Sequence, residues 1–224
     1  MAAPRLEIDL AKIQHNARTL VTRLAKRGIS VTAVTKATLG SHEIARAMLE
    51  GGATGLGDSR IENIEAIRRS HLFARLSLIR SPMLSQAKRV VTSADVSFNT
   101  ELEVIRRLSV EAGKLGRKHA VVLMVELGDL RDGIMPDDLV AAVRETLGLP
   151  NIVLKGLATN LACRSGVSPD DANMGELSRL AALIEATFDI SLEIVSGGMV
   201  AAGGAHGYAE LLSGAAFRPS RTTR

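Results

Sequence analysis

The chain alternates between two hydrophobic periods. Short β-branched or aliphatic runs recur at Val31 to Lys36, Thr54 to Gly57, Leu76 to Ile79, Asp95 to Phe98, Ala120 to Leu127, Ile152 to Ala158 and Leu192 to Val195. Runs of this length and near-continuous apolar character predict strands buried on both faces. Between them, apolar residues fall at helical spacing: Ile44 and Met48; Ile61, Ile64 and Ile67; Leu102, Ile105 and Leu108; Leu139, Val143 and Leu147; Leu177, Leu180 and Ile184. An earlier helix is predicted through Ile13, Ala17, Leu20, Val21 and Leu24, stopping at Gly28. Before it, Leu6 to Asp9 alternates as a half-buried strand would.

Punctuation supports these elements. Ser41 is placed to cap a helix that ends at Gly51-Gly52. Ser59 with Glu62 and Thr100 with Glu103 read as capping boxes, and Ser81-Pro82 reads as a cap followed by the first helical residue. Pro136 opens one helix, and Ser168-Pro-Asp-Asp171 caps another. Strand and helix in regular alternation imply a parallel sheet with right-handed crossovers, and this many units favour a TIM-type α/β barrel. The pattern dissolves after Gly198, so the expected organisation is a barrel domain over 1–198 and an irregular Gly/Ala/Arg-rich tail over 199–224.

Length agrees with that picture, since 224 residues fall near the ~250 typical of the fold. Aromatic residues are only 2%, with no Trp and Tyr208 as the sole Tyr, so the core must be aliphatic. Twenty-eight basic against 24 acidic residues give a net charge of +4. That bias is too small to argue for nucleic acid, and no aromatics interleave with the basic residues to stack on bases. One cysteine, Cys163, excludes an internal disulfide. The N-terminus lacks an apolar signal core and no run reaches the ~18 apolar residues of a membrane span, so the expectation is a cytoplasmic protein without a membrane partner.

In a barrel, chemistry sits at the C-terminal ends of the strands. Read in order, those ends offer Lys36; Asp58, Ser59 and Arg60; Arg80; Asn99; Glu126 with Asp129 and Arg131; Thr159, Asn160 and Arg164; and Ser196, Gly197 and Gly198. A lysine closing a strand is explained by an ammonium group seeking water. The sharper alternative is a Schiff-base lysine desolvated at a barrel mouth. Ser-Gly-Gly after a strand can turn successive N–H groups onto a phosphate. One lysine, several arginines and that turn are the equipment a phosphorylated aldehyde cofactor requires. The histidines at 15, 42, 71, 119 and 206 have no metal-ligand spacing, and no metal is expected.

Several ordered segments resemble the N-terminal domain of the alanine racemase-like, fold-type III pyridoxal-phosphate (PLP) enzymes. They are Arg5 to Asn16, Ala33-Val-Thr-Lys36, Gly52 to Arg60, Glu126-Leu-Gly-Asp-Leu-Arg-Asp-Gly133, Lys155-Gly-Leu-Ala-Thr-Asn160 and Ser196-Gly-Gly198. The wording Gly-Asp-Leu-Arg and Ser-Gly-Gly is closest to the alanine/ornithine racemase branch. The resemblance implies PLP bound as a Schiff base on Lys36, which also abstracts the α-proton. It implies Arg131 as the residue orienting the lysine or the substrate carboxylate. Asn160, Ser196, Gly197 and Gly198 follow as cofactor contacts, and an amino acid as the small-molecule substrate. Glu126, Asp129 and Asp132 are the carboxylates open to an amine at the substrate's far end.

The resemblance also has departures. Gly40 stands where family members place a phosphate-contacting tyrosine, and the family's last barrel strand has no counterpart after Gly198. The opposite-face proton donor is a tyrosine of a C-terminal β-domain of a partner subunit, which this chain does not match. Cys163 near the sixth strand's mouth could serve there, though a lone cysteine is more often a packing residue. Leu6 to Asp9 belongs in such enzymes with the missing domain, so the expected barrel is incomplete, with seven strands plus one orphan. The function expected is therefore a PLP-dependent amino-acid racemase, weakly active because it is shortened. A PLP carrier without robust catalysis and an inactive barrel fragment are the alternatives. A homodimer is compatible with the resemblance.

Overall fold

In the computed structural model, residues 7–161 and 167–197 are described. The first helix, α1 (Leu10–Ala25), precedes a regular series: β1 (Thr32–Val34), α2 (His42–Glu50), β2 (Gly55–Asp58), α3 (Ile61–Arg69), β3 (Arg75–Leu78), α4 (Ala87–Ser93) and β4 (Val96–Asn99). It continues as α5 (Leu102–Lys114), β5 (His119–Met124), α6 (Leu139–Leu147), β6 (Ile152–Thr159), α7 (Asp171–Phe188) and β7 (Ile194–Gly197). The seven strands form one parallel sheet in sequential order, β1 to β7, curled into a half-barrel. Right-handed crossovers of this kind put every helix on one face.

The sheet is therefore two-sided in composition as well as in position. On the helix side, Leu56, Leu76, Leu78, Val121, Leu123 and Leu157 pack with Ile61, Ile64, Ile67, Ile105, Leu108, Leu139 and Leu180 in one aliphatic core. On the opposite face a smaller cluster forms from Val96, Val122, Met124 and Ala158, with Phe98, Ala120 and Ile194 against it. Small residues dominate the rest of that inner face. A Cβ on Gly57 would lie 3.1 Å from Ile79 and 3.5 Å from Thr32, and one on Gly55 would meet Arg75 and Thr32. At Gly156 the approach is closer still, because Ile194 O occupies the space a Cβ would need.

Several local expectations change. Glu7 to Asp9 form no strand, and Ile8 is half exposed. Asp9 instead caps α1, its Oδ1 accepting from the Lys12 N–H at 3.1 Å. A lone half-strand has no ladder to join, whereas an aspartate satisfies an orphan helix donor at once. The Ser59–Glu62 box does not form, since Glu62 is drawn to Arg89 on α4 at 2.8 Å and Arg60 takes the cap position without a side-chain bond. Nor does the Thr100–Glu103 box: the Thr100 N–H donates to Ser81 Oγ at 2.8 Å. Ser81 being so used, Pro82 does not open a helix, and α4 begins at Ala87 after a 3-10 turn over Leu84–Gln86. The run ending at Leu127 is shorter as a strand, β5 ending at Met124: Val125 still donates to Ala158 O at 2.7 Å, but Glu126 donates instead to Ile134 O at 3.0 Å, where the loop folds back.

Candidate active site

The parallel register lines up the strand ends on one rim. Val34 is level with Gly57, Asp58 with Leu78, Asn99 with Leu123, and Thr159 with Gly197. Lys36 follows β1 after one residue, Thr35, and opens a short 3-10 turn, Lys36–Thr38, with its side chain exposed. The turn closes through Leu39 at φ 53 and Gly40 at φ 70.

Beneath Lys36 lies a dry polar cluster. Asp58 is fully buried. Its Oδ2 accepts from the Thr35 hydroxyl at 2.7 Å, and its Oδ1 accepts from the Arg60 N–H at 2.9 Å and from Asn63 Nδ2 at 3.0 Å. Thr35 is itself fully buried and donates its N–H to Gly57 O at 2.9 Å. The departure at position 40 has a steric reason: a Cβ there would sit 2.7 Å from Asn63 Cβ.

Across the rim, the loop after β5 carries Arg131. Glu126 is almost buried, and its Oε1 accepts the Gly128 N–H at 2.5 Å. Arg131 Nε stands 3.3 Å from Asp132 Oδ1 and 3.7 Å from Asp129 Oδ2. The Asp129 side chain is 1% exposed against 38% for Arg131, so the carboxylate is the fixed partner of that pair. Gly133 at φ 155 lets the loop cross close over the chain, since a Cβ would lie 2.5 Å from Glu126 N.

The far edge brings Asn160 directly after β6 and Ser196 and Gly197 at the end of β7. Thr159, paired with Gly197, buries a hydroxyl that has no hydrogen-bond partner among the described residues. Lys36, Arg131, Asn160, Ser196 and Gly197 thus share one rim on four strands. Gly198, Cys163, Arg164 and Tyr208 lie outside the described residues. Thr35 and Asn63 were not singled out from sequence, and Asp58 appeared only as a strand-end residue. The available signal was parity: Thr35 and Asp58 lie two positions after Ala33 and Leu56 and so share their face towards the helices, where polar groups need each other.

The donor set fits PLP. An amine at one end of the rim and a Ser-Gly turn at the other match an aldehyde and a phosphate. Glycines at 55, 57 and 156 thin the inner face on β2 and β6, while Val96, Phe98, Val122 and Met124 fill its middle.

Comparison with known proteins gives the family. The family described as "Alanine racemase, N-terminal domain" matches residues 8–215. The chain is 34% identical over 196 residues to ornithine racemase of Acetoanaerobium sticklandii, covering 87% of this chain and 55% of that protein. It is 31% identical over 198 residues to lysine racemase of Thermotoga maritima, covering 88% and 55%. The chain thus spans about half the length of the curated relatives it matches. Among solved structures, alanine racemase from Streptomyces lavendulae superposes with a TM-score of 0.73 at 21% identity, over 85% of this chain and 51% of that one. PipY of Synechococcus elongatus, solved without PLP, superposes with a TM-score of 0.67 at 19% identity, over 84% and 87%. The chain belongs to the family of the alanine racemase N-terminal domain, the fold-type III PLP enzymes.

Proposed function

We propose that this half-barrel holds PLP on Lys36 and racemises an amino acid whose side chain ends in an amine, ornithine first. The observation supporting it is the rim: Lys36 stands beside β1 on a turn anchored by buried hydrogen bonds, with Ser196 and Gly197 at the other edge of the same sheet. The substrate class follows from the two relatives above 30% identity, whose names specify ornithine and lysine, both amine-ended.

PLP, when bound, supplies an electron sink that makes the α-proton removable. The chain's own residues supply the rest. Lys36 Nζ holds the cofactor and, once released, takes the α-proton on its face. Arg131, backed by Asp129 and Asp132, presents a guanidinium able to grip a carboxylate with two N–H groups. The Ser196 hydroxyl and the backbone N–H groups of Ser196 and Gly197 receive the phosphate, and Gly198 and Asn160 complete the cofactor contacts. Asp132, Asp129 and Glu126 are the acidic groups nearest to Arg131 in sequence, and the substrate's distal amine is answered from this loop.

A second reading has its own observation. The superposition on PipY at a TM-score of 0.67 supports a barrel that holds PLP without racemising. One experiment separates the two. Purified chain is mixed with PLP, and racemisation of L-ornithine, L-lysine and L-alanine is followed by chiral chromatography. A yellow protein that turns over ornithine or lysine, with colour lost in Lys36→Ala, is the result expected. Colour without turnover leaves the carrier, and a wild-type chain that stays colourless overturns both.

A further inference from the structure

We infer that Asp58, acting through the Thr35 hydroxyl, is a positioning residue that fixes where the Lys36 amine is presented; this rests on Lys36 being the cofactor lysine. A lysine side chain is long and rotatable, so placing its amine demands a rigid root. That root is Thr35, and every polar group of Thr35 is engaged. Its carbonyl accepts from the Thr38 N–H at 3.0 Å, the Thr38 hydroxyl at 2.9 Å and the Gly40 N–H at 3.3 Å, which shapes the turn over 36–40. Its N–H donates to Gly57 O at 2.9 Å, and its hydroxyl donates to Asp58 Oδ2 at 2.7 Å.

Asp58 fastens that root to α3. With 0% exposure and its other oxygen held by the Arg60 N–H and Asn63 Nδ2, the carboxylate cannot shift without stranding buried donors. Asn63 then serves a second purpose, because its Cβ fills the space over Gly40 at the far end of the turn. Both ends of the 36–40 segment are thereby tied to the first turn of α3, one by a hydrogen bond and one by contact. If Asp58 merely capped α3, its loss would loosen the helix first and the lysine turn only in proportion.

The test compares Thr35→Val, Asp58→Ala and a control, Thr146→Val, which removes a buried hydroxyl bonded to Ala142 O in α6. Amide hydrogen exchange is measured on the full chain without cofactor. Thr35→Val is expected to speed exchange over 36–40 about tenfold, the scale of one lost buried hydrogen bond, with 61–69 unchanged relative to the control. Asp58→Ala is expected to loosen both segments. In a second arm, PLP is added and trapped with borohydride, and the adduct on Lys36 is quantified by peptide mass; Thr35→Val should slow its formation about tenfold while adducts on Lys12 and Lys26 are unaffected. Exchange over 36–40 no faster than in the control, or 61–69 moving together with it in Thr35→Val, overturns the inference. A wild-type Lys36 that takes up no PLP defeats the proposed function, and the exchange arm still decides the clamp. Should Asp58→Ala fail to fold, Thr35→Val alone decides it.

Discussion

At the β1 end of the rim the Lys36 turn is secured by hydrogen bonds from which water is excluded, whereas at the β5 end Arg131, itself part-exposed, is held by ion pairs to the buried Asp129 and the part-exposed Asp132. Thr35 and Asp58 are fully buried, while Arg131 and Asp132 keep 38% and 27% of their side chains exposed. Coulomb attraction between exposed groups is screened within about 10 Å at ordinary salt, but a buried hydrogen bond is not. The amine is thus anchored at its root and the guanidinium is left adjustable. Those properties suit the roles proposed above, a lysine holding a cofactor and an arginine following an incoming carboxylate.

The contrast can be broken at its shared support. Gly156→Ala brings a Cβ onto Ile194 O, and only separation of β6 from β7 relieves the overlap. Its expected cost is about 4 kcal/mol or more, read by thermal unfolding, with proteolysis entering first near residues 194–197. A variant as stable as the parent would show that the edge bearing Ser196 and Gly197 is loosely held.

Acid sharpens the same contrast from within the sheet. His119 is 1% exposed, its Nε2 lies 2.9 Å from Ser97 Oγ, and Asn99 Nδ2 donates to that same Oγ at 3.0 Å. Burial, aided by the Arg117 charge and opposed by Asp95, pulls its pKa from 6.5 down to about 4. An imidazole with a depressed folded pKa stabilises the fold fully above pH 6.5, and that contribution drains away as pH falls towards 4. About 3 kcal/mol should go in this window. Melting temperatures across it should fall steeply in the parent and flatten in His119→Gln.

Gly40→Ala attacks the lysine turn alone. Left-handed backbone plus a Cβ 2.7 Å from Asn63 Cβ should cost about 2 kcal/mol by chemical denaturation. An indifferent Gly40→Ala would remove the steric tie between the turn and α3. Asp132→Asn should cost least, under about 1 kcal/mol, and any loss should shrink as salt is raised. Salt-independent loss there would place the Arg131 loop in the same dry class as Thr35 and erase the contrast.

Leu6 to Asp9 apart, the alternation of strand and helix was legible, with every strand end but that of β5 within two residues, because both periods are written in aliphatic residues and the core uses them as such. Ile61, Ile64 and Ile67 line the inner side of α3, and Leu177, Leu180 and Ile184 that of α7, as their spacing requires. Helix starts were less legible. Ser59 and Thr100 have the right neighbours in sequence, yet Arg89 claims Glu62 and Ser81 claims the Thr100 N–H, both from other elements. Lys36, Arg131, Asn160, Ser196 and Gly197 were readable as strand-end residues, but Thr35 and Asn63 were hidden inside runs that look like ordinary strand and helix.

Sequence by itself determined the order of the elements, the aliphatic core and the lysine at the end of the first strand, since each depends on neighbours along the chain. Tertiary structure decided how that lysine is held. Thr35, Asp58 and Asn63 are 23 and 5 positions apart, and nothing local ties them. Only when β1 pairs with β2 and α3 folds over both do their polar groups meet away from water, where a hydrogen bond left unmade is costly.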